Sequence, residues 1–192
     1  MMKVQRLGVP MGLTVDILSE RGEDTMSETE KCLKDAFAGE SQANRKYLAF
    51  AKKADDEGLH GVAKLFRAAA EAETIHAHNH LAVLGGIKST LENLKEAYGG
   101  EHYEFTQMYP EFLGKAKAEK KTKAHNSFHW ANEVEKVHGD LYQKAINAVE
   151  AGAEFPVVDY YICEKCGYTA EGVAPDKCPV CGAKKKQFFL AE

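Results

Sequence analysis

No apolar run in the 192 residues approaches the ~18 needed for a membrane span, so no membrane-spanning helix is expected. Excess charge of one sign is also missing. The formal charge is −4, which predicts no general affinity for nucleic acid. The one basic run, KAKAEKKTK at 115–123, lacks interleaved aromatics and contains Glu119, so it reads as a solvated turn. A glycine-rich nucleotide-binding motif is absent, and a nicotinamide is therefore not expected to bind this chain. A disulfide framework is disfavoured by cysteine placement: four of the five cysteines fall within Cys163 to Cys181, and Cys32 stands alone. That usage fits the cytoplasm. Residues 1–25 share no pattern with the rest. Their mildly apolar LGVPMGLTVDIL is broken by Asp16 and has no small-x-small cleavage site, so it reads as an extension rather than a signal peptide.

What is present is helical periodicity. Ser27 with Glu30, and Ser89 with Glu92, are capping-box signals. Four helices follow from the spacing. The first carries Leu33, Phe37, Glu40, Asn44, Tyr47 and Ala51. The second carries Val62, Phe66, Ala69, Glu73, His76, His80 and Val83. On the third are Leu91, Leu94, Tyr98, Glu101, Glu104, Met108 and Phe112, with a local kink expected at Pro110. The fourth stripe is Phe128, Ala131, Glu135, His138, Tyr142, Ala145 and Val149. The halves resemble each other: FAGE at 37–40 matches YGGE at 98–101. Glu40 to Glu73 spans 33 residues, Glu101 to Glu135 spans 34, and both second members open a Glu-x-x-His.

One such Glu is ordinarily solvated, and one such His is ordinarily a hydrogen-bonded core residue. Five acids on converging apolar stripes are a different matter. Burying an unpaired carboxylate costs several kcal/mol or forces protonation, and neighbouring carboxylates repel. A pair of cations removes both costs. Oxygen and imidazole donors suit iron or manganese. Glu from two helices and Glu-x-x-His from two others is the donor set of ferritin-like di-iron bundles. Here it comprises Glu40 and Glu101, then Glu73 with His76 and Glu135 with His138. Glu104 lies one turn after Glu101 and is a further potential ligand. His80 reads as an outer partner or core residue, and His60, His78, His102, His125 and His129 as surface or structural.

After Gly152 the composition shifts. Two C-x-x-C-G knuckles, Cys163/Cys166 and Cys178/Cys181, stand 11 residues apart. Four thiolates bind zinc or a single iron, and spacing does not choose between them. A redox metal pair in the companion domain favours iron, because zinc cannot relay electrons.

Together, AFAGESQANRKY (36–47), EAETIHA (71–77), GGEHYEFTQMYP (99–110), NEVEKVHGDLY (132–142) and the two knuckles resemble a rubrerythrin from about Ser27 to Glu192. The resemblance implies a mainly α protein. It would have a ferritin-like four-helix domain over 27–153, a rubredoxin-like Fe(Cys)₄ domain over 154–192, and residues 1–26 as an extension. It implies a peroxidase that reduces hydrogen peroxide to water at two non-haem irons. The implied iron ligands are Glu40, Glu73, His76, Glu101, Glu104, Glu135 and His138. Glu104 and His76 form the pair that exchanges with oxidation state, and Tyr47 and Tyr109 are hydrogen-bond donors to carboxylates. Cys163, Cys166, Cys178 and Cys181 would hold the third iron, refilled by a rubredoxin or an NAD(P)H-dependent reductase. Family assemblies turn the knuckle domain toward a neighbouring subunit's di-iron site. The rival readings are a ferroxidase or iron-handling protein, and a zinc-ribbon protein without redox activity.

One length is short for this fold. A ferritin-like bundle runs its second and third helices parallel, so their link must traverse the bundle. Gly85 to Lys88 spans at most ~14 Å, whereas a 25-residue helix is ~37 Å long. The expectation is a domain-swapped homodimer or higher homo-oligomer.

Overall fold

The computed structural model describes residues 26–191. The extension expected at the N-terminus lies almost wholly outside the described residues.

Both capping boxes form. Ser27 accepts from the Glu30 N–H while the Glu30 carboxylate accepts from the Ser27 N–H, opening α1 (Glu28–Asp56). The same pair of bonds at Ser89 and Glu92 opens α3 (Thr90–Tyr103). Between them runs α2 (His60–Val83), entered through a turn in which Gly58 adopts φ 75°. α3 passes into a π-helical turn, Glu104–Met108, and on into α4 (Tyr109–Ala118). α5 (Thr122–Glu150) completes the helical part. The π turn is the form taken by the kink expected at Pro110. Proline has no N–H, and its ring clashes with the carbonyl one turn back. The Tyr109 N–H bonds the Glu104 carbonyl, five residues back, so the helix widens for one turn without breaking. Among the described residues no helix is long and apolar enough to cross a membrane.

The chain divides between Leu84 and Gly85 into two compact units. In the first, α1 and α2 form a hairpin through small residues. Ala63, Ala70 and Ala77 recur every seven positions and are buried, as are Ala51 and Ala54 of α1. Asn44, also buried, donates to the Ala70 carbonyl (2.7 Å) and to Thr74 Oγ1 (2.8 Å), so its amide is not left unpaired. The alanine stripe of α2, one position round from the ligand stripe, is the face buried against α1. On the ligand stripe Val62 stays 43% and Val83 72% exposed. Two helices alone bury only their mutual faces.

In the second unit α3 and α4 pack along α5. Tyr109, Phe112 and Phe128 form an aromatic cluster with ring centroids 5.5–6.4 Å apart. Gly139 of α5 makes room for Phe105, whose ring would lie 3.2 Å from a Cβ there. Beyond the helices, β1 (Tyr160–Cys163) pairs antiparallel with β2 (Thr169–Glu171) on one side and β3 (Phe188–Leu190) on the other. Its core is Cys163, Cys178 and Ala183, with Tyr168, Val180 and Phe188 against them. So few apolar side chains would not hold a domain of this size without a staple.

Candidate functional site

In the first unit, Glu40 of α1 and Glu73 and His76 of α2 bring one donor atom each within 4.8 Å of one another. His76 Nδ1 lies 2.9 Å from Glu73 Oε2 and 4.0 Å from Glu40 Oε1. The second unit repeats the arrangement with Glu101 of α3 and Glu135 and His138 of α5. There His138 Nδ1 lies 2.8 Å from Glu135 Oε2 and 3.7 Å from Glu101 Oε1. The i, i+3 spacing on one helix places Glu and His side by side, and the facing helix supplies the second carboxylate. The duplicated sequence thus yields duplicated triads, one per unit.

The remaining expected residues distribute around the second triad. Glu104 begins the π turn and stands outside the triad, yet burial, followed by the Glu135 charge, raises its carboxyl pKa. Tyr109 is pushed up by burial, then by Glu104, Glu135 and Glu101 in that order. Tyr142 is also pushed up by burial, then by Glu101 and Glu135. Its place on the α5 stripe marked it as a core residue; nothing in the sequence marked it as a neighbour of the acids. Tyr47 packs its ring against Phe50 and Phe66. His80 is half-buried outside the first triad, and His60 bonds Asp55 at 3.1 Å.

Electrostatics within the second triad call for a cation. Burial, then the adjacent Glu135 charge, pushes the Glu101 carboxyl up to about 7, against the opposing pull of His138. His138 is raised, chiefly by its hydrogen bond to Glu135. Carboxylates and imidazole held this close fit iron or manganese, whose charge replaces the retained proton.

A pH dependence follows for the metal-free protein. Unfolded, Glu101 gives up its proton near its ordinary 4.5; folded, it keeps it to about 7. Between those values the folded state holds more protons, so rising pH lowers stability. His138 acts in the same direction. Its charged form favours the fold at low pH, and that contribution fades as pH rises through its elevated pKa. Carboxylates whose pKa is lowered, such as Glu133 beside Lys136, titrate below this interval. The melting temperature of metal-free protein is expected to fall from pH 4.5 to about 7, and the fall to vanish on metal loading. Differential scanning calorimetry across that interval decides, and a rise in the metal-free protein would contradict the assignment.

The knuckles close on each other. Cys163 Sγ lies 3.6 Å from Cys181 Sγ, and Cys166 Sγ 3.5 Å from Cys178 Sγ. All four thiols are unoxidised, with sulfurs within 4.8 Å of one another. A tetrahedron with metal–sulfur bonds of ~2.3 Å has edges of ~3.8 Å, so the cage is near the required size. Gly167 and Gly182, at φ 81° and 74°, turn each knuckle. Burial pushes Cys166 and Cys181 up. At Cys178 the N–H groups of Cys181 and Val180 outweigh burial and bring the thiol down.

The sheet domain meets α5 of its own chain. Lys165 Nζ sits 5.0 Å above the Trp130 ring. His138 Nε2 lies 2.9 Å from Thr169 Oγ1, and Lys144 Nζ bonds both Glu171 oxygens at 2.7 Å. Thr169 lies 31 residues from its partner, and no local signal could have found it.

Comparison with known proteins agrees with this geometry. The rubrerythrin family profile matches residues 31–146, and that of the rubrerythrin rubredoxin-like domain matches 161–189. Rubrerythrin-2 of Clostridium acetobutylicum is 34% identical over 174 residues, covering 83% of this chain and 95% of its own. Nigerythrin of Nitratidesulfovibrio vulgaris is 35% identical over 177 residues, 85% and 86% of the two chains. Solved structures of nigerythrin in partially reduced and fully reduced, all-ferrous states are 33% identical. They cover 99% of this chain and all of theirs, each at a TM-score of 0.51. The chain is mainly helical and carries both the rubrerythrin and the rubredoxin-like parts of that family.

Proposed function

Because this chain belongs to the rubrerythrin family, we propose that it reduces hydrogen peroxide to water at a two-metal site. The observation that carries the reading is the pair of matching Glu, Glu and His triads on a chain that also supplies a four-cysteine cage. Glu40, Glu73 and His76 hold one side of the site, and Glu101, Glu135 and His138 the other, with Glu104 as a further donor. When bound, iron supplies the electrons that divide the O–O bond.

The residues themselves bind, orient and manage protons. The carboxylates neutralise the metals, and the proton that Glu101 retains near pH 7 in the metal-free protein leaves as metal enters. Tyr109 and Tyr142, raised above the ordinary tyrosine range beside Glu101 and Glu135, stay neutral and keep a hydroxyl proton near the site. Glu104 and His76 are the natural pair to alternate as ligands. Glu104 starts a widened helical turn, and the His76 side chain is 54% exposed against 29% for His138. Cys163, Cys166, Cys178 and Cys181 hold a single iron that relays electrons from an external rubredoxin or NAD(P)H-dependent reductase. The boundaries 27–153 and 154–192 follow this division of labour.

The complete bundle further requires a second copy of the chain. Only Leu84 to Ser89 joins α2 to α3, too short for the parallel crossing the fold needs. The ligand face of α2 is open in the hairpin. The α1–α2 hairpin of one protomer therefore pairs with α3–α5 of its partner, and each di-metal site draws a triad from each chain.

Peroxide reduction is tested by stopped-flow mixing of fully reduced protein with hydrogen peroxide and, separately, with oxygen. Reoxidation is expected to be faster with peroxide. Faster reaction with oxygen would favour a ferroxidase, and a colourless, zinc-filled cysteine cage would remove the electron relay.

A further inference from the structure

The repeat gives His76 and His138 the same place beside a glutamate, but their outer nitrogens differ. No hydrogen bond to His76 Nε2 is found among the described residues, and its one close partner is Glu73 on the Nδ1 side. His138 Nε2, by contrast, lies 2.9 Å from Thr169 Oγ1 on the strand that follows the first knuckle. The threonine hydroxyl is itself 3.3 Å from the Gly167 carbonyl. Gly167 is fixed in turn, its N–H bonding the Cys163 carbonyl at 2.9 Å.

The direction of this relay is set by chemistry. A carbonyl only accepts, and a hydroxyl carries one proton. Thr169 therefore donates to Gly167 and accepts from His138, which puts a proton on Nε2. When a cation displaces the proton that Nδ1 shares with Glu135 at 2.8 Å, the lone pair offered to it is on Nδ1, which also faces Glu101 at 3.7 Å. We propose that Thr169 is a positioning residue for His138. It locks the imidazole with Nδ1 turned to the metal pocket, so that His138 is held in one orientation. Histidine ligands held by an acceptor on the outer nitrogen lose about 10–100-fold in metal affinity when that acceptor is removed.

This inference rests on the two-metal reading above, and the test separates the two. Whole protein with its cysteine cage filled, and the helix sites emptied with a mild chelator, is titrated anaerobically with cobalt(II) against a competing chelator. Thr169→Val, which keeps the shape and removes the hydroxyl, is expected to weaken the helix site about 10–100-fold. Thr169→Ser restores the acceptor and is expected to stay within about threefold of the unaltered chain. In proton NMR of the cobalt protein, the hyperfine-shifted, exchangeable Nε2–H of His138 should persist in the serine variant and exchange away in the valine variant. Lys144→Ala cuts the neighbouring ion pair to Glu171 without touching His138. Its affinity should match that of the unaltered chain if Thr169 acts on the imidazole rather than by docking the sheet domain. Equal affinity for the valine variant, or equal losses in Thr169→Val and Lys144→Ala, would overturn the proposal. Failure of the unaltered chain to bind cobalt(II) at the helices would instead overturn the metal reading beneath it.

Discussion

Two inactive variants should make an active protein when refolded together. Glu73→Ala/His76→Ala destroys the triad of the first unit, and Glu135→Ala/His138→Ala destroys that of the second. Each homodimer has no intact site and should show no peroxide turnover. If the hairpin of one protomer completes the helices of the other, a heterodimer gathers both damaged triads into one site and both intact triads into the other. Random association of equal amounts makes half the dimers mixed, each with one of two sites working, so about a quarter of the unaltered activity should return. A bundle closed within each chain would leave every site with one ruined triad, and recovery would be nil. The contrast is between zero and a quarter, large enough to survive imperfect refolding. Iron content offers a second readout in the same ratio.

Loss of one knuckle sulfur should divide the kinetics. In Cys178→Ala the cage keeps three thiolates and loses the one whose ionisation the Val180 and Cys181 N–H groups favour. The red colour should go, and iron should fall from about three to about two per chain when the helix sites are saturated. Steady-state turnover driven by an external reductase should drop at least about a hundredfold, because no centre remains to relay electrons. A single turnover of chemically pre-reduced protein with peroxide needs no relay and should proceed at close to the unaltered rate. Parallel losses in both measurements would mean that the sheet domain contributes to the chemistry itself.

Much of this molecule was legible in its residues. The capping boxes at Ser27 and Ser89 form as expected, because such signals act over three positions and depend on nothing distant. The Glu-x-x-His pairs and the two knuckles were equally plain, since i, i+3 and C-x-x-C spacings dictate proximity within each; the duplicated pattern then pointed to Glu40 and Glu101 as their facing partners. The seam between α1 and α2 was less legible: the close approach of two backbones selected Ala63, Ala70 and Ala77, which hydropathy ranks below Val62 and Val83. Shape decided there, and shape is weakly written in polarity. Thr169 was hidden for a different reason: its partner lies on another element 31 residues away.

The widened turn at Glu104–Met108 explains the mismatch between the two halves of the chain. From Glu40 to the end of α1 at Asp56 is 16 positions; from Glu101 to the end of α4 at Ala118 is 17. The following turns are equal in length, with Gly58 and Lys120 both at positive φ in second place. From His60 to Glu73 and from Thr122 to Glu135 is again the same distance, 13. The surplus residue therefore falls inside the helix, and a π turn is how a helix absorbs a single insertion without unravelling. It opens on Glu104, an acid with no counterpart in the first half, where Ala43 stands. The two hairpins are therefore unequal at their acids, and two metals held between them would not be chemically interchangeable.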